Sequence, residues 1–201
     1  MEVVMRRILL IVLTLIVLVP PAAAQSPHTF GVKGGLNYFN IYGGDVEMAT
    51  YRTGFAIGAA YAYAFNGTFA LQPELYYSLK GSTSEEDSDV KLGLGYLDIP
   101  ILLKVMFPVE SDKWAPGIYA GPYLALMMSA DLDGVDIKDE FNTTDYGLVV
   151  GALFDFMVSG GKQTVTLDVR YSVGFAKLDE LQMQDIYNNG FQFLIGYGFS
   201  M

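Results

Sequence analysis

The chain is 201 residues long, 52% hydrophobic and only 17% charged, with a mean hydropathy of +0.32 and abundant Gly (22), Tyr (14) and Phe (13). Twenty-two acids against twelve bases give a net charge of −10, which argues against a nucleic-acid-binding surface, because neutralising phosphates needs clustered Lys and Arg. The absence of cysteine excludes a disulfide framework and any thiolate nucleophile or metal ligand.

Arg6 and Arg7 precede a run, 8–19, that is apolar apart from Thr14, and Pro20, Pro21 and Ala22-Ala23-Ala24 follow it before Gln25. This pattern predicts a secretory signal peptide over residues 1–24, cleaved after Ala24. The apolar run is shorter than the roughly 20 residues of a spanning helix. No cysteine follows the cleavage point, so no lipoprotein anchor is expected, and residues 25–201 are expected to form one exported domain. Beyond the N-terminus the longest uncharged apolar stretch, 114–130, is interrupted by Pro116, Gly117, Gly121 and Pro122, which breaks any membrane helix there.

The exported part alternates with period two. Over 53–65 the odd positions are Phe55, Ile57, Ala59, Tyr61, Tyr63 and Phe65, while the even ones are all Gly or Ala. Over 69–80 the odd face carries Phe69, Leu71, Leu75, Tyr77 and Leu79, opposite Gln72, Glu74, Tyr76, Ser78 and Lys80. Residues 97–107 set Leu97, Ile99, Ile101, Leu103, Val105 and Phe107 against Asp98, Pro100, Leu102, Lys104 and Met106. In 165–175, Val165, Leu167, Val169, Tyr171, Val173 and Phe175 back onto Thr166, Asp168, Arg170, Ser172 and Gly174. The last segment alternates Phe191, Phe193, Ile195, Tyr197 and Phe199 with Gln192, Leu194, Gly196, Gly198 and Ser200. Segments 30–40, 117–129 and 146–157 alternate less cleanly, which makes eight strands, most long enough to cross a bilayer at about 9–11 residues each.

A soluble sandwich would bury the bulky faces and turn the others to water, but an all-Gly/Ala face and a few charges of mixed sign make a poor solvent face. With the bulky faces toward lipid, the small and polar faces line a narrow lumen, as in a transmembrane barrel whose closure satisfies every backbone group. The predicted fold is an all-β, eight-stranded antiparallel up-and-down transmembrane β-barrel. Long connections (41–52, 81–89, 130–145, 176–189) alternate strictly with short ones (66–67, 108–115, 158–162). The first short one, Asn66-Gly67, reads as a two-residue hairpin turn. The long loops hold 15 of the 22 acids, among them Asp131, Asp133, Asp145 and Asp185, so one rim is acidic.

Several stretches resemble a known family. They are Phe30-Gly31-Val32-Lys33-Gly34-Gly35-Leu36-Asn37, Leu71-Gln72-Pro73-Glu74-Leu75-Tyr76-Tyr77, Tyr96-Leu97-Asp98-Ile99-Pro100-Ile101-Leu102-Leu103-Lys104 and Ala120-Gly121-Pro122-Tyr123. In these the chain is similar to the outer membrane protein beta-barrel domain family, the small Bacteroidetes-type "porin family" barrels. The third stretch is the most specific, with Asp98 where the family usually has Glu. The resemblance implies a bacterial outer-membrane location with periplasmic termini, and a fold that tolerates Pro73, Pro100 and Pro122 within strands.

Glu74, Asp98, Lys104, Asp168 and Arg170 fall on lumen faces and are expected to form a charge network that neutralises itself and plugs the barrel rather than conducting. An eight-stranded interior is just filled by side chains. Tyr38, Tyr63, Tyr77, Trp114 and Tyr197 are expected in interfacial aromatic girdles. The segment Asp131-Leu132-Asp133-Gly134-Val135-Asp136 lacks EF-hand spacing, so no metal is expected there, and no cofactor elsewhere. His28, the only histidine, precedes the first predicted strand, which leaves no Ser–His pair and argues against a lipid-active enzyme. The expected function is non-enzymatic, a structural or surface-interaction role with acidic extracellular loops. The alternatives are a narrow channel or small-solute porin and, less favoured, a soluble periplasmic lipocalin-like carrier. Expected partners are outer-membrane lipid and lipopolysaccharide, the barrel-insertion machinery during assembly and an unidentified extracellular partner. No nucleic acid is expected, and the chain should be a monomer.

Overall fold

A computed structural model describes residues 28–44, 49–84, 90–107, 109–110, 113–178 and 185–200. The signal peptide expected over 1–24 lies outside the described residues, as do the loop acids within 45–48, 85–89 and 179–184. The strands are β1 (His28–Tyr42), β2 (Ala49–Ala64), β3 (Phe69–Ser84), β4 (Lys91–Met106), β5 (Trp114–Leu132), a short β6 (Val135–Asp136), β7 (Thr144–Val158), β8 (Gln163–Gly174) and β9 (Tyr187–Ser200). Apart from β6, which folds back on the end of β5, each strand pairs antiparallel with its neighbours in the chain; β1 also pairs with β9, so the eight long strands close into a barrel. Closure removes the edges that would otherwise leave backbone groups unpaired in lipid.

The alternation becomes an inside-out pattern. Ile195 is 64% exposed while the adjoining Leu194 is 2% exposed, and the same parity puts Phe191, Phe193, Tyr197 and Phe199 outside with Gln192 inside. Each outward apolar side chain would be unfavourable in water and is at home in hydrocarbon. Small residues on β2 make room inside. At Gly58 a β-carbon would lie 2.8 Å from the ring of Tyr76, so only glycine lets that buried ring fill the lumen.

Three local features depart from ideal alternation. Gly95 pairs with Ser129 and Tyr96 with Met127, which leaves Met128 as an extra residue in a β-bulge and reverses the parity of β5 beyond it. This bulge is the reason 117–129 alternates poorly. Pro73, Pro100 and Pro122 stand on adjacent strands, and the ladder lapses around them: Glu74 and Leu75 face Pro100 and Ile99 without ladder pairs, as Ile101 and Leu102 face Pro122 and Gly121. A proline nitrogen carries no proton to donate there. The β2–β3 connection is not the two-residue turn expected at Asn66-Gly67. It spans residues 65–68, and neither Asn66 nor Gly67 takes the positive φ that a type I′ turn needs. Instead the Asn66 carboxamide oxygen accepts from the backbone N–H groups of Thr68 and Phe69, 2.8 Å from each.

Candidate functional site

The inward residues of β1, β3, β5 and β8 meet at mid-barrel. Lys33 extends its ammonium to Glu74 Oε1 (2.8 Å) and Asp168 Oδ2 (2.7 Å). The Arg170 guanidinium donates to Glu74 Oε2 at 2.7 Å and to Asp168 Oδ2 at 2.6 Å. Gln72 Nε2 donates to Glu74 at 2.6 Å, and the Tyr119 hydroxyl donates to Asp168. The rings of Tyr76 and Tyr119 each lie 5.4 Å from the guanidinium carbon. All four charged side chains are buried. Two cations against two carboxylates make the group neutral, and every carboxylate oxygen accepts at least one hydrogen bond, the condition under which buried charge is tolerable.

Toward the long-loop end, Asn37 Nδ2 donates to Ser78 Oγ (2.8 Å) and Gln192 Nε2 donates to Asn37 Oδ1 (2.8 Å), forming a neutral polar layer. Above it, Lys80 donates to Asp98 Oδ1 at 2.9 Å, and its ammonium lies 5.2, 4.8 and 5.0 Å from the ring centres of Phe39, Tyr96 and Tyr123. That box of π faces holds the cation where water is excluded. Higher still, Asp145 Oδ2 accepts from Tyr123 (3.1 Å) and from Asn188 Nδ2 (3.2 Å). Toward the short-turn end, Lys104 lies 3.6 Å from Asp155, whose other oxygen accepts from Thr166 at 2.5 Å, beside a cavity of about 80 Å³.

The five charges expected to form one network are therefore divided. Glu74, Asp168 and Arg170 come together, whereas Asp98 pairs with Lys80 and Lys104 with Asp155. Lys33 completes the central quartet. Its signal was present in the sequence, since Phe30, Val32, Leu36 and Tyr38 place the odd positions of β1 inside. Asp145, assigned to the acidic rim, is fully buried inside the barrel, because β7 begins at Thr144 and points this side chain inward. Tyr38, Tyr63, Tyr77, Trp114 and Tyr197 all lie on outward faces. Tyr63, Trp114 and Tyr197 stand toward the short-turn end, Tyr38 and Tyr77 toward the other, and Tyr38 stacks on Tyr51 with ring centres 4.6 Å apart. His28 is outside the lumen column, its Nδ1 2.6 Å from the Tyr61 hydroxyl. In the segment 131–136, Asp133 accepts from the Lys91 N–H and Asp136 from the Lys138 N–H, so both carboxylates hold loop backbone in place.

The sequence model described as "Outer membrane protein beta-barrel domain" matches residues 23–180. No curated protein shows significant sequence similarity to the chain. Among solved structures, the fold is similar to Neisserial surface protein A, with a TM-score of 0.59 at 15% identity over 86% of this chain and 97% of that one. It is similar to the outer membrane protein OprG from Pseudomonas aeruginosa, with a TM-score of 0.54 at 14% identity, covering 86% and 95%. A third is outer membrane protein W of E. coli, at 0.50 and 15%, covering 89% and 100%. At such low identity these likenesses concern the fold alone.

Proposed function

The chain belongs to the outer membrane protein beta-barrel domain family and resides in the bacterial outer membrane, and from that premise we propose that it is a non-enzymatic barrel whose lumen is plugged by charge and whose acidic rim meets the cell exterior. The observation that carries this reading is the quartet of Lys33, Glu74, Asp168 and Arg170, which spans the lumen from β1 and β3 to β8 with bonds of 2.6–2.8 Å. A solute passing this level would have to separate buried, mutually neutralised charges, which costs several kcal/mol per ion (about 3–5 when one partner is lost). The short turns face the periplasm and the long loops face outward, as in outer-membrane barrels generally. Exposed Asp133, Asp136, Asp139, Glu140 and Asp185 then form a surface suited to a cationic extracellular partner. The barrel works as a monomer bounded by outer-membrane lipid and lipopolysaccharide, after delivery by the barrel-insertion machinery.

Planar-bilayer recording of the purified, folded protein tests this. The expected trace is flat; reproducible single-channel steps would replace the plugged barrel with the narrow channel, a reading that the cavity beside Lys104 favours. Heat-modifiable migration combined with outer-membrane fractionation tests folding in the same preparation.

A further inference from the structure

The long-loop end of the lumen contains a carboxylate in no ion pair; the Lys80 ammonium acts on it across space but is bonded to Asp98. Asp145 is wholly buried; its Oδ2 is engaged by Tyr123 and Asn188, and its Oδ1 has no hydrogen-bond partner among the described residues. Every other buried charge among the described residues is matched. The quartet is neutral, Lys104 answers Asp155, and Lys80 donates to Asp98. Arg52 is turned to the carbonyls of Lys80 (3.4 Å) and Leu92 (2.9 Å), and Lys177 is bound to Asp185 near solvent. In the upper lumen one ammonium therefore stands against two carboxylates.

The free oxygen lies beside Gly174. Gly174, an inward residue of β8, has no side chain, and the point where a β-carbon would sit is 2.9 Å from Asp145 Oδ1, 3.1 Å from the Tyr123 hydroxyl and 3.2 Å from the Asn188 carbonyl oxygen. The Tyr123 proton is directed to Asp145 Oδ2, so its oxygen presents lone pairs. Among the described residues Asn188 Oδ1 is a second buried acceptor without a partner. Both donors at hand, the Tyr123 hydroxyl and Asn188 Nδ2, are spent on Asp145 Oδ2, so three oxygens surround the Gly174 position, and a carboxylate buried in that state is costly unless a positive charge joins it.

We propose that Asp145, Tyr123 and the Asn188 carbonyl, gathered over Gly174, bind a monovalent alkali cation that neutralises the upper lumen. Three protein oxygens, one of them a carboxylate's, fall short of the 6–8 oxygens and the higher ligand charge that calcium takes. A sodium or potassium ion matches the single negative charge and completes its shell with water from the long-loop side. Bound there, it ties the upper ends of β5, β7, β8 and β9 to one another.

The test follows denaturation of the folded, full-length barrel in detergent, with chloride salts of potassium, sodium or N-methyl-D-glucamine at one ionic strength. The folded-to-unfolded ratio should rise about tenfold in an alkali cation present at about nine times its Kd, relative to the organic cation. Asp145→Asn should abolish that difference, and the rim variant Asp139→Asn should retain it. Gly174→Ala, whose methyl would press on the three oxygens, should also abolish it. Crystals grown in thallium(I) acetate should show an anomalous peak among Asp145 Oδ1, the Tyr123 hydroxyl and Gly174. Identical transitions in all three salts, persistence of the response in Asp145→Asn, or a transition that follows pH and not the cation would overturn the proposal, the last by showing that a proton neutralises Asp145. If the variants do not fold, the thallium map decides: no peak at this position refutes the site.

Discussion

Lys33 on β1 reaches Asp168 on β8, 2.7 Å away, by laying its aliphatic stem over Gly196 of the strand between them. The registers make this contact obligatory, since Gly196 pairs with Lys33 on one side and with Thr166 on the other. A β-carbon at 196 would come within 2.8 Å of Lys33 Cγ. Gly196→Val is therefore expected to displace the ammonium and to destabilise the barrel by about 1–3 kcal/mol, the usual cost of overpacking. Urea titration of the folded protein in lipid vesicles measures it, and an unchanged midpoint would show that the stem has another route.

Removing one member of the quartet should cost far more than removing a balanced pair. Glu74→Gln leaves Lys33 and Arg170 to share Asp168, and the loss expected is about 3–5 kcal/mol. Combining it with Lys33→Met restores neutrality, so the double variant should be less destabilised than the sum of the singles, with a coupling of about 0.5–3 kcal/mol. Strict additivity in the urea midpoints would contradict the idea that these four charges act as a unit.

The lipid face should respond by depth. Val150, outward on β7 and 51% exposed, lies in the middle of its strand, whereas Tyr146, 54% exposed, lies near the long-loop end. Val150→Arg is expected to cost about 2–4 kcal/mol and Tyr146→Arg about 0–1 kcal/mol. Equal costs would mean that the membrane does not sit across the centre of the barrel.

The barrel was legible because lipid on one side and a packed lumen on the other impose a strict period of two, which strands such as β9 carry without error. It failed to be legible where geometry changes parity or length. The Met128 bulge obscured β5, and residues 81–84, which read as loop, extend β3 to Ser84. At the site, Glu74, Asp168 and Arg170 could be grouped from their faces alone, but the shear of the barrel decides which charges share a level. That is why Asp98 meets Lys80 and Lys104 meets Asp155. Asp145 reads as a loop acid because a run of acids, Asp131 to Glu140, precedes it, while its burial depends on where β7 begins.

Lys80 offers a further contrast. Lys80→Met keeps volume in the box of Phe39, Tyr96 and Tyr123 but deprives Asp98 of its donor, so a loss of about 3–5 kcal/mol is expected. Lys80→Arg keeps the charge and should lose less. Thermal scans of intrinsic tyrosine fluorescence would read both, and equal losses would assign the effect to shape and not to charge.

The central quartet also bears on how the barrel is put together. Lys33 and Glu74 come from the first three strands and carry opposite signs; Asp168 and Arg170 stand two residues apart on β8 and do the same. Each contingent is electrically balanced before it meets the other, since Lys33 can bond Glu74 within the growing sheet and Arg170 can bond Asp168 on its own strand. In the closed barrel the two local pairs keep their bonds and add Lys33–Asp168 and Arg170–Glu74, which makes a crossed set of four. The two halves of this layer are therefore each neutral where they meet across the closing seam.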